Sequence, residues 1–310
     1  MNSRRTFLKW VGLSSAMVAT GNVPLMAKSA REREITILHT NDTHSHLEPF
    51  PLTHKQYPGM GGVAARKKII DQIRRESTAT LLFDAGDIFQ GTPYFNFFLG
   101  EPEIMAMNNL GYDGATMGNH EFDGGMDNIH KQFSKAQFPL ICTNYNFTNT
   151  VLSNITKPYQ VYVHNNIRVG VFGLGVELEG LVMKELCEGV IYMDPIQTAN
   201  EMSSFLKNEE KCDLIIVLSH LGYKYKSNKV SDIHLAENTN NIDIIIGGHT
   251  HTFLDHADIR RNLSGQEVLI NQVGWAGINL GKINVKFTGK KRKISSESHS
   301  VIVDKKSILF

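Results

Sequence analysis

Five short clusters of metal-binding residue types, each placed directly after an apolar run, constrain this chain more than any other feature. They are Asp42-Thr43-His44, Gly86-Asp87, Gly118-Asn119-His120-Glu121, Ser219-His220 and Gly247-Gly248-His249-Thr250-His251. The runs before them, 34–39, 80–84, 114–117, 213–218 and 243–246, read as strands. A strand is stiff, and the loop after it can turn a side chain into a crevice. Glycines among the clusters allow tight turns and close backbone approach.

Helix-length segments separate these runs, at 62–76, 125–135 and 194–206. Asp194-Pro195 has the pattern of an N-cap followed by proline at the first helical position. Further strands are expected at 138–143 and 168–173, with shorter alternating ones from 267 to 303. Continuous apolar runs such as 213–218 suit strands buried on both faces. Strands alternating with helices indicate an α/β layered fold, organised as a single domain over 31–310.

The N-terminus carries an address. Ser3-Arg4-Arg5-Thr6-Phe7-Leu8-Lys9 precedes an apolar stretch, and small residues follow at 27–30. Residues 1–30 therefore read as a twin-arginine signal peptide, which implies export to the periplasm. The apolar stretch is too short for a stable membrane span. A net charge of +1 gives no global field to attract nucleic acid. The run Lys290-Lys291-Arg292-Lys293 is expected to be a solvated turn. Three widely spaced cysteines form no disulfide framework, and Cys142 and Cys212 read as buried thiols.

The clusters together hold enough oxygen and imidazole donors for two divalent metal ions. Asp42, His44 and His251 are assigned to one ion. Asn119, His220 and His249 are assigned to the other, and Asp87 bridges them. Mixed oxygen and nitrogen donors suit Zn, Mn, Fe or Co. His120 is left over, and Asp123 three residues on can bond its far ring nitrogen. Such a pair can stabilise a phosphoryl group or protonate a leaving oxygen, with a metal-activated hydroxide as nucleophile. Any one histidine could instead pack in a core, but a His-x-His pair after a buried strand is hard to place otherwise. His39 is expected inside the first strand, and His46 either behind the ligands or facing solvent. His54 and the remaining histidines have no constellation. Phe95, Phe97 and Phe98 are expected in the core. Tyr223 and Tyr225 are candidates for substrate contact.

The stretches 37–44, 86–93, 118–123 and 247–251 resemble, in order, the motifs of the 5′-nucleotidase branch of the calcineurin-like metallophosphatases. The likeness spans about 35–285. It implies a four-layer α/β/β/α sandwich with a dinuclear centre at the strand ends. It implies the same ligands, with His120 and Asp123 as the catalytic pair and Asn119 also holding phosphate. The expected substrate is a small nucleotide or another phosphate ester. One departure stands out: secreted two-domain members carry a C-terminal domain that recognises the base, and the chain ending at Phe310 leaves no room for it. The alternatives are a catalytic subunit needing a separate chain that supplies that domain, or a thiosulfohydrolase of the sulfur-oxidation type.

Overall fold

The computed structural model describes residues 32–288 and 291–300. In chain order the first half runs β1 (Arg33–Thr40), α1 (Val63–Glu76), β2 (Thr80–Asp84), α2 (Pro93–Phe98), α3 (Glu101–Leu110), β3 (Gly114–Ala115), α4 (Met126–Phe133), β4 (Leu140–Ile141), β5 (Tyr145–Asn146) and β6 (Thr156–Lys157). The second half runs β7 (Tyr159–His164), β8 (Ile167–Leu174), β9 (Ile191–Tyr192), α5 (Pro195–Asn208), β10 (Leu214–Ser219), α6 (Asp232–Glu237), β11 (Ile244–Gly247), β12 (Asp258–Arg261), β13 (Glu267–Asn271), β14 (Asn279–Thr288) and β15 (Lys291–Ser300). One sheet has the order β15-β14-β1-β2-β3-β4-β6, the other β12-β13-β11-β10-β8-β7.

The period-two alternation of the strands creates the layers. Ile35, Ile37, Leu81 and Phe83 point into a core shared with Val169, Val171, Leu214, Ile216, Leu218, Ile244 and Ile246, so the two sheets pack face to face. The intervening residues point outward. Leu38 and Leu82 meet Ile70, Ile73, Ile104, Met107 and Ile129 on the helices of one side. Ile215, Val217 and Ile245 meet Ala199, Leu206 and Leu235 on those of the other. The result is the expected α/β/β/α sandwich. Each fully buried Leu, Ile or Phe contributes roughly 1.5–3 kcal/mol.

The strands at 34–39 and 80–84 fall where the apolar runs place them, and Asp194 caps α5 by accepting from the Gln197 amide at 2.7 Å. Two strands are much shorter than their runs. β3 and β4 keep two residues each. The basic run is a second difference. Lys291, Arg292 and Lys293 begin β15, paired antiparallel with β14, and Arg292 forms an ion pair with Asp243. The partnered strand edge overrides the charge pattern; Lys290 lies outside the described residues. The third is α2, which has fewer than two turns. Only Phe95 faces the core, leaving Phe97 79% and Phe98 53% exposed. The signal-peptide segment lies outside the described residues. Among those residues no helix is long and apolar enough to cross a membrane.

The sheets approach closely at Gly173 in β8. A Cβ there would lie 2.1 Å from the Ile141 carbonyl oxygen and 2.5 Å from Thr116 Oγ1. Ile141 is held in β4 and the Thr116 amide is bonded to the Asp84 carbonyl at 3.1 Å, so neither can retreat cheaply. Gly173→Ala is expected to destabilise the fold by about 1–3 kcal/mol or more, read as a lowered denaturant midpoint. An unchanged midpoint would contradict this packing.

Candidate metal centre

All five clusters lie at one edge of the sandwich, just beyond the C-terminal ends of β1, β2, β3, β10 and β11. The first three strands belong to one sheet and the last two to the other, so the donors face each other across the sheet interface. They fall into two groups, Asp42 with His44 and His251, and Asp87 with His220 and His249. Within each group the candidate ligand atoms lie within 4.8 Å of one another. Asp87 Oδ2 is 3.0 Å from His220 Nε2 and 3.8 Å from His44 Nε2, which places it between the groups.

The loops are tight, and the backbone shows it. Asp42, His44, Asp87, His249 and His251 all have positive φ, between 48° and 73°. Non-glycine residues adopt this region at a cost of roughly 1 kcal/mol or more each. Hydrogen bonds within and between the sheets hold them there. The His249 amide donates to both Asp42 carboxylate oxygens at 3.0 Å. The His120 amide donates to Asp87 Oδ1 at 2.9 Å. Gly118 is required by contact rather than by φ: a Cβ would meet Asp87 Oδ1 at 2.2 Å and His220 Nε2 at 2.5 Å.

The ring tautomers follow from fixed acceptors. His220 Nδ1 donates to the Ala85 carbonyl at 2.7 Å, and His44 Nδ1 to the Gln90 carbonyl at 3.1 Å. Carbonyls only accept, so each neutral ring turns the lone pair of Nε2 into the cleft. His44 Nε2 there lies 2.9 Å from His251 Nε2. His220 Nε2 is buried and makes no hydrogen bond, although Asp87 Oδ2 is 3.0 Å away off the donor direction. Asn119 Oδ1 is likewise buried and unpartnered. Burial pulls the pKa of His220 down, but the Asp87 carboxylate outweighs it and raises it to about 10. Burial would push the Asp87 carboxyl up, yet the neighbouring imidazoles hold it well below the usual range. Burial lowers His249 to about 4, with His220 adding to the effect, and burial also lowers His44. A buried carboxylate strong enough to hold a proton on His220, together with the unpartnered Asn119 oxygen, calls for positive charge at this point. The donor set fits divalent cations.

His120 and Asp123 stand at the rim. Asp123 Oδ2 accepts from His120 Nδ1 at 2.7 Å, and the ring lies edge-on to His44 with centroids 5.2 Å apart. The bond to Asp123 raises the pKa of His120 against the pull of burial.

Other residues resolve differently from expectation. Tyr223 donates to Asp258 at 2.9 Å and Tyr225 to the Leu221 carbonyl at 2.6 Å, so both hydroxyls brace the loop after His220 rather than face the cleft. His39 is fully buried in β1, as expected, and burial lowers it to about 3. His46 packs against Trp275 and Phe50. His54 takes a packing role, stacked on Tyr57 and packed against Phe50.

Glu121 had no assigned role, although it sits inside the third cluster. Its buried carboxylate accepts from the amides of Asp87 (3.0 Å), Ile88 (2.6 Å), Phe89 (3.2 Å) and Gly118 (2.6 Å). It therefore ties the loop after β2 to the loop after β3. Trp275 was also missed; its ring stacks on His251 at 5.7 Å and 5°. No pattern near Trp275 signals this, because it comes from a distant loop.

A family model described as calcineurin-like phosphoesterase matches residues 35–253. The chain belongs to the calcineurin-like phosphoesterase family. Among curated relatives, it is 30% identical over 288 residues to the trifunctional nucleotide phosphoesterase protein YfkN of Bacillus subtilis, covering 83% of this chain and 18% of that protein. It is 34% identical over 228 residues to a 5′-nucleotidase of Vibrio cholerae, covering 70% and 40%. The structure of the 5′-nucleotidase precursor from Thermus thermophilus superposes with a TM-score of 0.80 at 31% identity, covering 87% and 55%. The chain thus spans about half or less of the length of these proteins. This phosphoesterase shares with them the mixed α/β sheets of the metallophosphatase fold.

If Glu121 organises both loops, Glu121→Ala should fold yet bind metal about 10–100-fold more weakly, the usual effect of losing a group that orients ligands. Equilibrium dialysis with metal analysis reads this. Unchanged affinity would show that the loops hold themselves.

Proposed function

We propose that the chain is an exported, metal-dependent phosphoesterase that hydrolyses nucleotide phosphate esters in the manner of a 5′-nucleotidase. The observation that carries this reading is the His120–Asp123 pair standing edge-on to His44 at the rim of the carboxylate–imidazole centre. Asp42, His44 and His251 would hold one ion, Asn119, His220 and His249 the second, and Asp87 would reach both. Zn, Mn, Fe and Co all suit these donors. When bound, such ions supply Lewis acidity and lower the pKa of a water.

The chain's own groups do the rest. Asp123 fixes His120 with its proton on Nδ1, so Nε2 is the nitrogen that meets substrate. The side chain of His120 is 33% exposed, within reach of an ester in the cleft. Protonated, it stabilises phosphoryl charge and can give a proton to the leaving oxygen. Nucleotides are the favoured esters because the relatives include a nucleotide phosphoesterase and 5′-nucleotidases. Export by the twin-arginine route to the periplasm is supported by Arg4-Arg5 ahead of an apolar stretch and small residues.

The full chain with added Mn or Zn should release phosphate from 5′-AMP. His120→Ala should cut kcat by about 10²–10⁴-fold while leaving metal content unchanged. Chelation should abolish release and metal should restore it. A chain replete with metal that leaves mononucleotides and aryl phosphates intact would overturn the proposal. Separately, Arg4→Lys with Arg5→Lys should retain the protein in the cytoplasm on fractionation; undiminished periplasmic protein would refute the export route.

A further inference from the structure

An apolar cleft of about 390 Å³ has Ser45 in its wall, the residue that directly follows the candidate ligand His44. Its walls come from the loop after β1 and from α2, and include His46, Phe50, Tyr94, Phe97 and Phe98. The same two loops carry His44 and Asp87 at their near ends. They are stitched together by the amide of Ser45 donating to the Ile88 carbonyl at 2.9 Å and by Thr92 Oγ1 donating to the Ser45 carbonyl at 2.9 Å. The cleft is therefore fixed relative to the ligands.

A line of rings connects the two places. His251 stacks on Trp275 at 5.7 Å, Trp275 meets His46 edge-on at 5.3 Å, and His46 lies against Phe50 at 5.1 Å. Phe50 is one wall of the cleft, and exposed Phe97 and Phe98 contribute others. Large apolar side chains clustered at the surface mark a place where something binds. The size lies within the range of small-molecule sites. One anion breaks the apolar lining. Glu48 Oε1 accepts from the Tyr94 hydroxyl at 3.3 Å, which uses one of about four lone pairs on the carboxylate.

We propose that this cleft is a nucleobase subsite, with the base's π face against the phenylalanines and an amino group donating to Glu48. The proposal rests on the nucleotide reading above and adds a preference to it. Carboxylate oxygens only accept, so Glu48 favours bases with an exocyclic amino group. Cytosine presents an amino group where uracil presents a carbonyl oxygen. The two are the same size and differ at the 4-position and at N3, where cytosine accepts and uracil donates, so a preference for cytosine requires Glu48 to meet the 4-position.

The test compares the full chain with a Phe97→Ala/Phe98→Ala variant and with Glu48→Gln. All three are assayed on 5′-CMP, 5′-UMP and ribose 5-phosphate, and their binding of cytidine is measured by calorimetry. The phenylalanines are exposed, so their removal should leave the fold intact. Loss of stacking should raise KM for 5′-CMP about tenfold, with kcat and the ribose 5-phosphate kinetics unmoved. Cytidine affinity should fall in step. Glu48→Gln should narrow the CMP-to-UMP ratio of kcat/KM. Equal KM changes for ribose 5-phosphate and 5′-CMP, or cytidine affinity indifferent to the substitutions, would overturn the subsite. Cytidine binding that falls in the variants when no chain releases phosphate would keep the subsite and sink the nucleotidase reading. Phosphate release from 5′-CMP with KM unmoved would do the reverse.

Discussion

Asp42 and Asp87 are buried beside four imidazoles, and this is the constraint on which the rest of the site depends. A buried carboxylate is costly unless something positive meets it. Here His220 offers a nitrogen 3.0 Å from Asp87 without the geometry of a hydrogen bond, and Asn119 offers an oxygen with no partner. Protons alone satisfy such a group of atoms poorly, whereas divalent cations satisfy it well. Around this point the backbone accepts left-handed turns at five non-glycine residues and a Cβ-free approach at Gly118.

The sandwich is what makes that concentration of charge tolerable. Two sheets share one apolar core, so their strand ends are held in fixed relation. Each sheet supplies part of the donor set, and hydrogen bonds from His249 to Asp42 and from His220 to Ala85 join them. Glu121 adds a second form of support. By accepting four amides it replaces regular pairing where β2 and β3 have ended. Burial pushes its pKa up to about 7, with the charge of Asp87 adding and the amides pulling it back. A carboxylate that touches no candidate ligand side chain thus sets the positions of two ligand loops.

The donors were legible because each follows an apolar run that could only be a strand, and because residues of these types seldom gather there for other reasons. His120 and Asp123 were legible from their spacing, which a single turn brings to 2.7 Å. Strand lengths were less legible. The runs at 114–117 and 138–143 continue past the last paired residue, and nothing local marks where pairing stops. The phenylalanines of α2 misled in the same way. Hydrophobicity places them inside, while a helix of six residues has only one inward face. The hydroxyls of Tyr223 and Tyr225 lie close to His220 in sequence but are engaged by Asp258 and Leu221.

By itself the sequence determined the alternation of strands and helices, the residue types at the strand ends and the pairing of His120 with Asp123. These depend on periodicity and short spacing, which are local. Only the tertiary structure decided the distances within and between the two groups of donors, and that Glu121 and Trp275 support them. It also decided that Phe50, Tyr94, Phe97 and Phe98 wall one cleft beside His46. Those arrangements depend on which loops meet when the two sheets close over their common core, and that meeting is set by long-range packing rather than by any neighbouring residue.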